Sequence, residues 1–310
     1  MKQIYLHIGF GKTGTTSIQQ FLAVHNENLL SLGIHYVLAG GGISGGGHQS
    51  LAKSCIDLIP DYMEIADPTT DIENVKVEIA RTNSDVLLLS AENFQLANPA
   101  KVKSLLGNLC DEYVCKIILF VRSQDELLES EYNQMVKLKS VTDDLKDYAD
   151  NSFNGNFLEL ASEWESTFGV GALICRVYNA REKNVIYDFL SCLPIEKAAV
   201  HDLFNLESIV SNESLSVSAL SQQFLKNRSD KPALSLLDAE ISKLNYPAVL
   251  MNSTEAKEFR ALFQEQNLMF SSRYLGTPMR DLQGRRFSDL ERDRYSNYWK
   301  EFERTLNEMV

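Results

Sequence analysis

The sequence predicts an α/β protein: a parallel sheet flanked by helices in three layers, with a mostly helical C-terminal part. Three observations predict it. Strand-like and helix-like segments alternate through the first two thirds of the chain. The strand-like segments are apolar throughout, as strands covered on both faces are. From about residue 195 the strand signal fades into helical, polar sequence. The expected organisation is one domain, with an α/β core over 1–194 and a helical capping region over 195–310.

Each element follows in order. "QIYLHI" (3–8) is short, apolar and β-branched at two points, hence a buried strand. Ile18, Phe21 and Leu22 then recur at helical spacing over 15–24. "IHYVL" (34–38) reads as a second short strand. Six glycines stand between 39 and 47, a loop that is either mobile or very close to something. Helical patterns follow at 49–59 and 71–82. "DVLLLS" (85–90) and "CKIILFV" (115–121) are buried strands, with a helix after Pro99 between them. Ser123 with Glu126 has capping-box spacing and predicts the next helix start, with Leu127, Leu128, Tyr132, Met135 and Val136 as its apolar stripe. Asn156 with Glu159 predicts a helix ending near Gly169. "ALICRVY" (172–178) is a strand and "EKNVIYDFLSCL" a helix. Ser288 with Glu291 caps the last helix, whose apolar face includes Leu290, Tyr295, Tyr298, Trp299 and Phe302.

Composition bounds the function. In 310 residues, 44% hydrophobic and 9% aromatic content supports a full core. A net charge of −12 argues against non-specific nucleic-acid binding, which needs Lys and Arg to replace counterions. Five cysteines form no CxxC pair, which favours reduced, buried thiols over a disulfide framework or a zinc site. No apolar run reaches transmembrane length, and the N-terminus turns polar too early for a signal peptide. A soluble cytoplasmic protein is expected.

The chemistry concentrates at two strand ends. "GFGKTGTTS" (9–17) joins the first strand to the first helix. Backbone N–H groups of such a turn converge on one point, and the helix dipole adds positive potential there. Lys12 adds a full charge, and Thr13, Thr15, Thr16 and Ser17 add hydroxyls. The loop is not a Walker A sequence, because Leu6 stands where that pattern needs its first glycine and Gly14 follows Lys12–Thr13. At the second junction, Arg122 stands at the carboxyl end of a buried strand, where open parallel sheets bind ligands. Ser130, eight positions on, lies opposite the apolar stripe, so both side chains are placed to face one anion.

Together the two segments resemble sulfotransferases that use 3′-phosphoadenosine 5′-phosphosulfate (PAPS), above all bacterial and carbohydrate-type members. The likeness rests on Lys12-Thr13-Gly14-Thr15-Thr16, on Arg122 with Ser130, and on a "HIGxxKTGTTSxQ"-like opening. It implies a P-loop-type fold, with Gly11–Ser17 holding the 5′-phosphosulfate, and Arg122 and Ser130 the ribose 3′-phosphate. It implies PAPS as co-substrate, PAP (the 3′,5′-bisphosphate) as product, and no metal. The acceptor would be a hydroxyl, or an amine, of a glycan, lipid or small metabolite. Lys12 would stabilise charge on the leaving group. Two residues are candidates for the base. Glu92 follows the strand "DVLLLS", and His48 follows the Gly-rich loop with an ordinary pKa near working pH. Arg273, in "SSRYLG", is matched loosely to a late loop that covers the nucleotide. The alternatives are a P-loop kinase, or a non-catalytic nucleotide-binding protein on the same fold. His7, inside a strand, is expected to be a packed core histidine.

Overall fold

A computed structural model of the chain describes residues 2–42, 44–60, 63, 68–138, 141–178, 185–204, 216–227, 246–276 and 287–309. In chain order the first elements are β1 (Gln3–His7), α1 (Thr15–Val24), α2 (Asn26–Ser31), β2 (Ile34–Tyr36), α3 (Gln49–Ser54), α4 (Thr69–Arg81) and β3 (Val86–Ser90). A 3₁₀ turn spans Glu92–Leu96. Next come α5 (Pro99–Leu106), α6 (Leu109–Glu112), β4 (Val114–Val121), α7 (Gln124–Lys137), α8 (Leu145–Asn151), α9 (Phe157–Phe168), β5 (Leu173–Val177), α10 (Val185–Leu190), α11 (Lys197–Leu203) and α12 (Val217–Asn227). Helices at Ser253–Ala261 and Asp289–Met309 follow. The α/β class stands, with all five predicted strands present.

The chain divides into two compact units. The first comprises Met1–Val121, Phe157–Ser211 and Leu268–Asp281. Its sheet is wholly parallel, in the order β2-β3-β1-β4-β5. Strand β1 is central, with Gln3 beside both Val86 and Val114. From β1 the chain runs to the edge strand β2, returns inward to β3 beside β1, and then crosses to β4 on the other side. The carboxyl end of β1 is therefore a switch point, where an open sheet leaves a crevice. Tyr5, Leu88, Ile118 and Phe120 bury one face against Ile18, Phe21 and Leu22 of α1, Leu29 of α2, and Ile186 and Phe189 of α10. Residues of the other parity, Ile4, Leu6, Leu87, Leu89 and Leu119, are equally buried, so both faces are covered. That is why these strands carry no polar alternation.

The second unit comprises Arg122–Asn156, Asn212–Asn267 and Leu282–Val310. It is helical. Leu128, Tyr132 and Val136 of α7 pack with Leu220 and Phe224 of α12 and Trp299 and Phe302 of the last helix. Asn252 and Glu255 form a capping box at the start of Ser253–Ala261, and Ser288 and Glu291 form the predicted one at the start of Asp289–Met309.

Two expectations are corrected here. Ser123 sits at the N-cap of α7, but its hydroxyl donates to Asp125 Oδ1 at 2.5 Å and makes no cap bond. Leu290 is 81% exposed, and Arg292 and Ser296 are buried on the last helix instead.

Candidate active site

The turn after β1 is built for close approach. Gly9 has φ +64°, and a Cβ there would lie 2.9 Å from Glu92 Cα. Gly14, at φ 84°, is the N-cap of α1 and brings no side-chain cap to the first turn. Amides of that turn have no intrahelical partner, so an anion is their natural acceptor. Lys12 is the one described non-glycine residue with positive φ, at 66°. Such a conformation costs about 1–3 kcal/mol and tends to persist at functional sites. Thr15 is 2% exposed, and its hydroxyl has no hydrogen-bond partner. A buried orphan hydroxyl within this turn fits a phosphate or sulfate ligand. The Thr13 hydroxyl differs from expectation: it donates to Phe10 O at 2.6 Å and so braces the loop.

The 3₁₀ turn after β3 lies against this loop. Residues i and i+3 eclipse in a 3₁₀ helix, which puts Glu92 and Gln95 on one side. Gln95 Oε1 accepts the Gly11 amide at 3.0 Å. Glu92 is half-buried; burial pushes its carboxyl above the usual range, against the pull of Lys12. A carboxylate with a raised pKa holds a transferred proton more readily than an ordinary one. Gln95 was missed by sequence reasoning, and only the Glu-x-x-Gln spacing on a 3₁₀ turn would have pointed to it.

His48 is placed otherwise than expected. It is fully buried, its Nδ1 accepts the Ser90 amide at 3.1 Å, and its Nε2 donates to Val37 O at 2.9 Å. Burial drives its pKa down to about 4. Both nitrogens are engaged with backbone, which leaves Glu92, half-buried beside Lys12, as the more accessible of the two candidates. The Gly-rich loop is tight for the same reason: a Cβ on Gly47 would stand 2.5 Å from Ser90 O. His7 is a core histidine, with Nδ1 2.8 Å from Ser90 Oγ and its ring against Phe120 and Phe189. Arg273, on a π turn at Ser271–Leu275, pairs with Glu165 and lies over the Tyr274 ring.

In the second unit, Arg122 and Ser130 line one recess. Neither is a surface residue, at 5% and 7% exposure. Glu126, Glu129, Asn133 and Arg292 complete its polar lining. Its free volume is about 10 Å³, room for one water. Arg122 Nε pairs with Glu126 at 3.2 Å. Asp125, wholly buried, accepts from Arg260 at 2.6 Å and Arg292 at 3.1 Å. Glu129 accepts the amides of Leu250 and Met251 and Arg292 Nη1. The polar face of α7 is buried, with arginines neutralising its carboxylates. Arg292 was missed, since nothing local marks it as a partner of Glu129.

Among the described residues, no group of three or more His, Cys, Asp or Glu is placed to hold a metal ion. No described helix is long and apolar enough to cross a membrane. No protein-family model matches the chain, and no curated protein matches it. Among solved structures, a sulfotransferase from Alicyclobacillus acidocaldarius is similar at 12% identity and a TM-score of 0.44, over 77% of this chain and 96% of that one.

Proposed function

We propose that the protein is a sulfotransferase that moves a sulfuryl group from PAPS to a hydroxyl or amine. The observation that carries the reading is the phosphate loop itself: a capless helix start, Lys12 in a left-handed conformation, an orphan Thr15 hydroxyl, and Glu92 beside them. In this reading Gly11–Ser17 bind the 5′-phosphosulfate, and Lys12 opposes charge that grows on the leaving phosphate oxygen. Glu92 takes the acceptor proton as the acceptor–sulfur bond forms and the sulfur–phosphate oxygen bond breaks, releasing PAP. Arg122 and Ser130 bind the 3′-phosphate, which takes Arg122 from Glu126 and opens a recess that now has room for one water. The acceptor is a glycan, lipid or small metabolite.

The test is a transfer assay with PAPS against panels of glycans, hydroxylated lipids, phenols and amines, following PAP release and product mass. Acceptor-dependent PAP release that falls at least a hundredfold in Lys12→Gly supports the reading. Lys12→Gly keeps the backbone conformation accessible while removing the charge. Undiminished turnover in that variant would overturn the assignment.

A further inference from the structure

The Sγ atoms of Cys110 and Cys115 lie 3.3 Å apart, Cys110 on α6 and Cys115 near the start of β4. Both are half-buried, whereas Cys55, Cys175 and Cys192 are buried. We propose that Cys110 and Cys115 are an oxidisable dithiol, a site at which a peroxide converts two thiols to a disulfide. A disulfide needs an S–S separation of about 2.05 Å, so the sulfurs must close by little more than 1 Å.

The chemistry of the two thiols is unequal in the useful direction. Cys115 donates its S–H to the Cys110 sulfur. That hydrogen bond, then the charge of Lys103, holds the Cys110 thiol below its ordinary pKa. The same bond and burial push Cys115 up. Cys110 is thus the nucleophile and Cys115 the resolving thiol. The Cys110 thiol loses its proton, the thiolate attacks one peroxide oxygen, the O–O bond breaks, and the departing hydroxide takes up that proton as water, leaving a sulfenic acid. Cys115 then attacks that sulfur, its proton leaves with the hydroxyl as a second water, and the S–S bond closes. One hydrogen peroxide accepts the two electrons. The buried thiols are poor competitors: burial drives Cys192 to about 11 and Cys175 to about 12. Cys115 pairs with Ile4 at the amino end of β1, away from the phosphate loop, so the site does not depend on the proposed transfer activity.

The test is peptide mapping of the full chain after peroxide, with free thiols blocked. Both cysteines fall on one tryptic peptide, "SLLGNLCDEYVCK". The expected result is that peptide lighter by two hydrogens, unblocked, and restored by dithiothreitol, while the other three cysteines stay blocked. In Cys115→Ser, dimedone should trap a sulfenic acid at Cys110; in Cys110→Ser, the peptide should keep its remaining thiol at the same dose. Blocking of both cysteines after peroxide, equal oxidation of all five, or an intermolecular disulfide would overturn the proposal. The wild-type map decides it even where a variant misfolds.

Discussion

Three side chains around Ser90 differ in what burial does to them. Glu92 is raised by burial and opposed by Lys12, so the rate of transfer should fall as pH drops through a pKa above the usual carboxylate range. Glu92→Gln should remove that acidic limb and lower kcat about 10²–10⁴-fold; a limb that persists in the variant would clear Glu92. His48 and His7 run the other way, at about 4 and about 3. Their folded pKa values lie below the ordinary 6.5, so the unfolded state binds more protons between those values. Stability is therefore full above about pH 6.5 and is lost as pH falls towards 4, by about 3 kcal/mol for His48. Urea midpoints at pH 7.5 and 4.5 check this, and His48→Asn should flatten the slope.

The phosphate loop and the Glu92–Leu96 turn form one element pair, held by the Gly11–Gln95 bond and the approach of Gly9 to Glu92. Gly9→Ala places a Cβ against backbone at positive φ, and should weaken PAP binding tenfold or more while circular dichroism stays native. Asn252→Ala removes one half of a capping box and should cost about 1 kcal/mol, read from the urea midpoint. At this scale much was legible. The inner strands β1, β3 and β4 were visible because they are buried on both faces, and Gly-Lys-Thr-Gly-Thr-Thr announces its own turn. The predicted single stretch after Pro99 is two helices, α5 and α6, divided at Gly107 with φ 53°. What was not legible depends on distance. Gln95 meets Gly11 across 84 residues, and Arg292 meets Glu129 across 163; no local period encodes either. The burial of His48, against Ser90 and Val37 far from it in sequence, is likewise not encoded by any local pattern.

For the molecule as a whole, the second unit is organised around buried charge rather than around an apolar helix face alone. Asp125 is enclosed by Arg260 and Arg292, and Glu129 shares Arg292. Removing Arg292 takes a buried cation from both Asp125 and Glu129, so Arg292→Met should destabilise by about 3–5 kcal/mol, measured by urea unfolding. Arg122 belongs to the same buried set through Glu126, and this is where fold and proposed function meet. An arginine already neutralised by a carboxylate is available to a ligand only if that ligand out-competes the carboxylate, as a dianionic phosphate can. The most direct measurement is isothermal titration calorimetry with PAP, AMP and ATP on wild type and Arg122→Ala. PAP binding far tighter than AMP, with the preference abolished in Arg122→Ala, is the predicted result. Equal binding of PAP and AMP, or tighter binding of ATP in the presence of Mg²⁺, would contradict it.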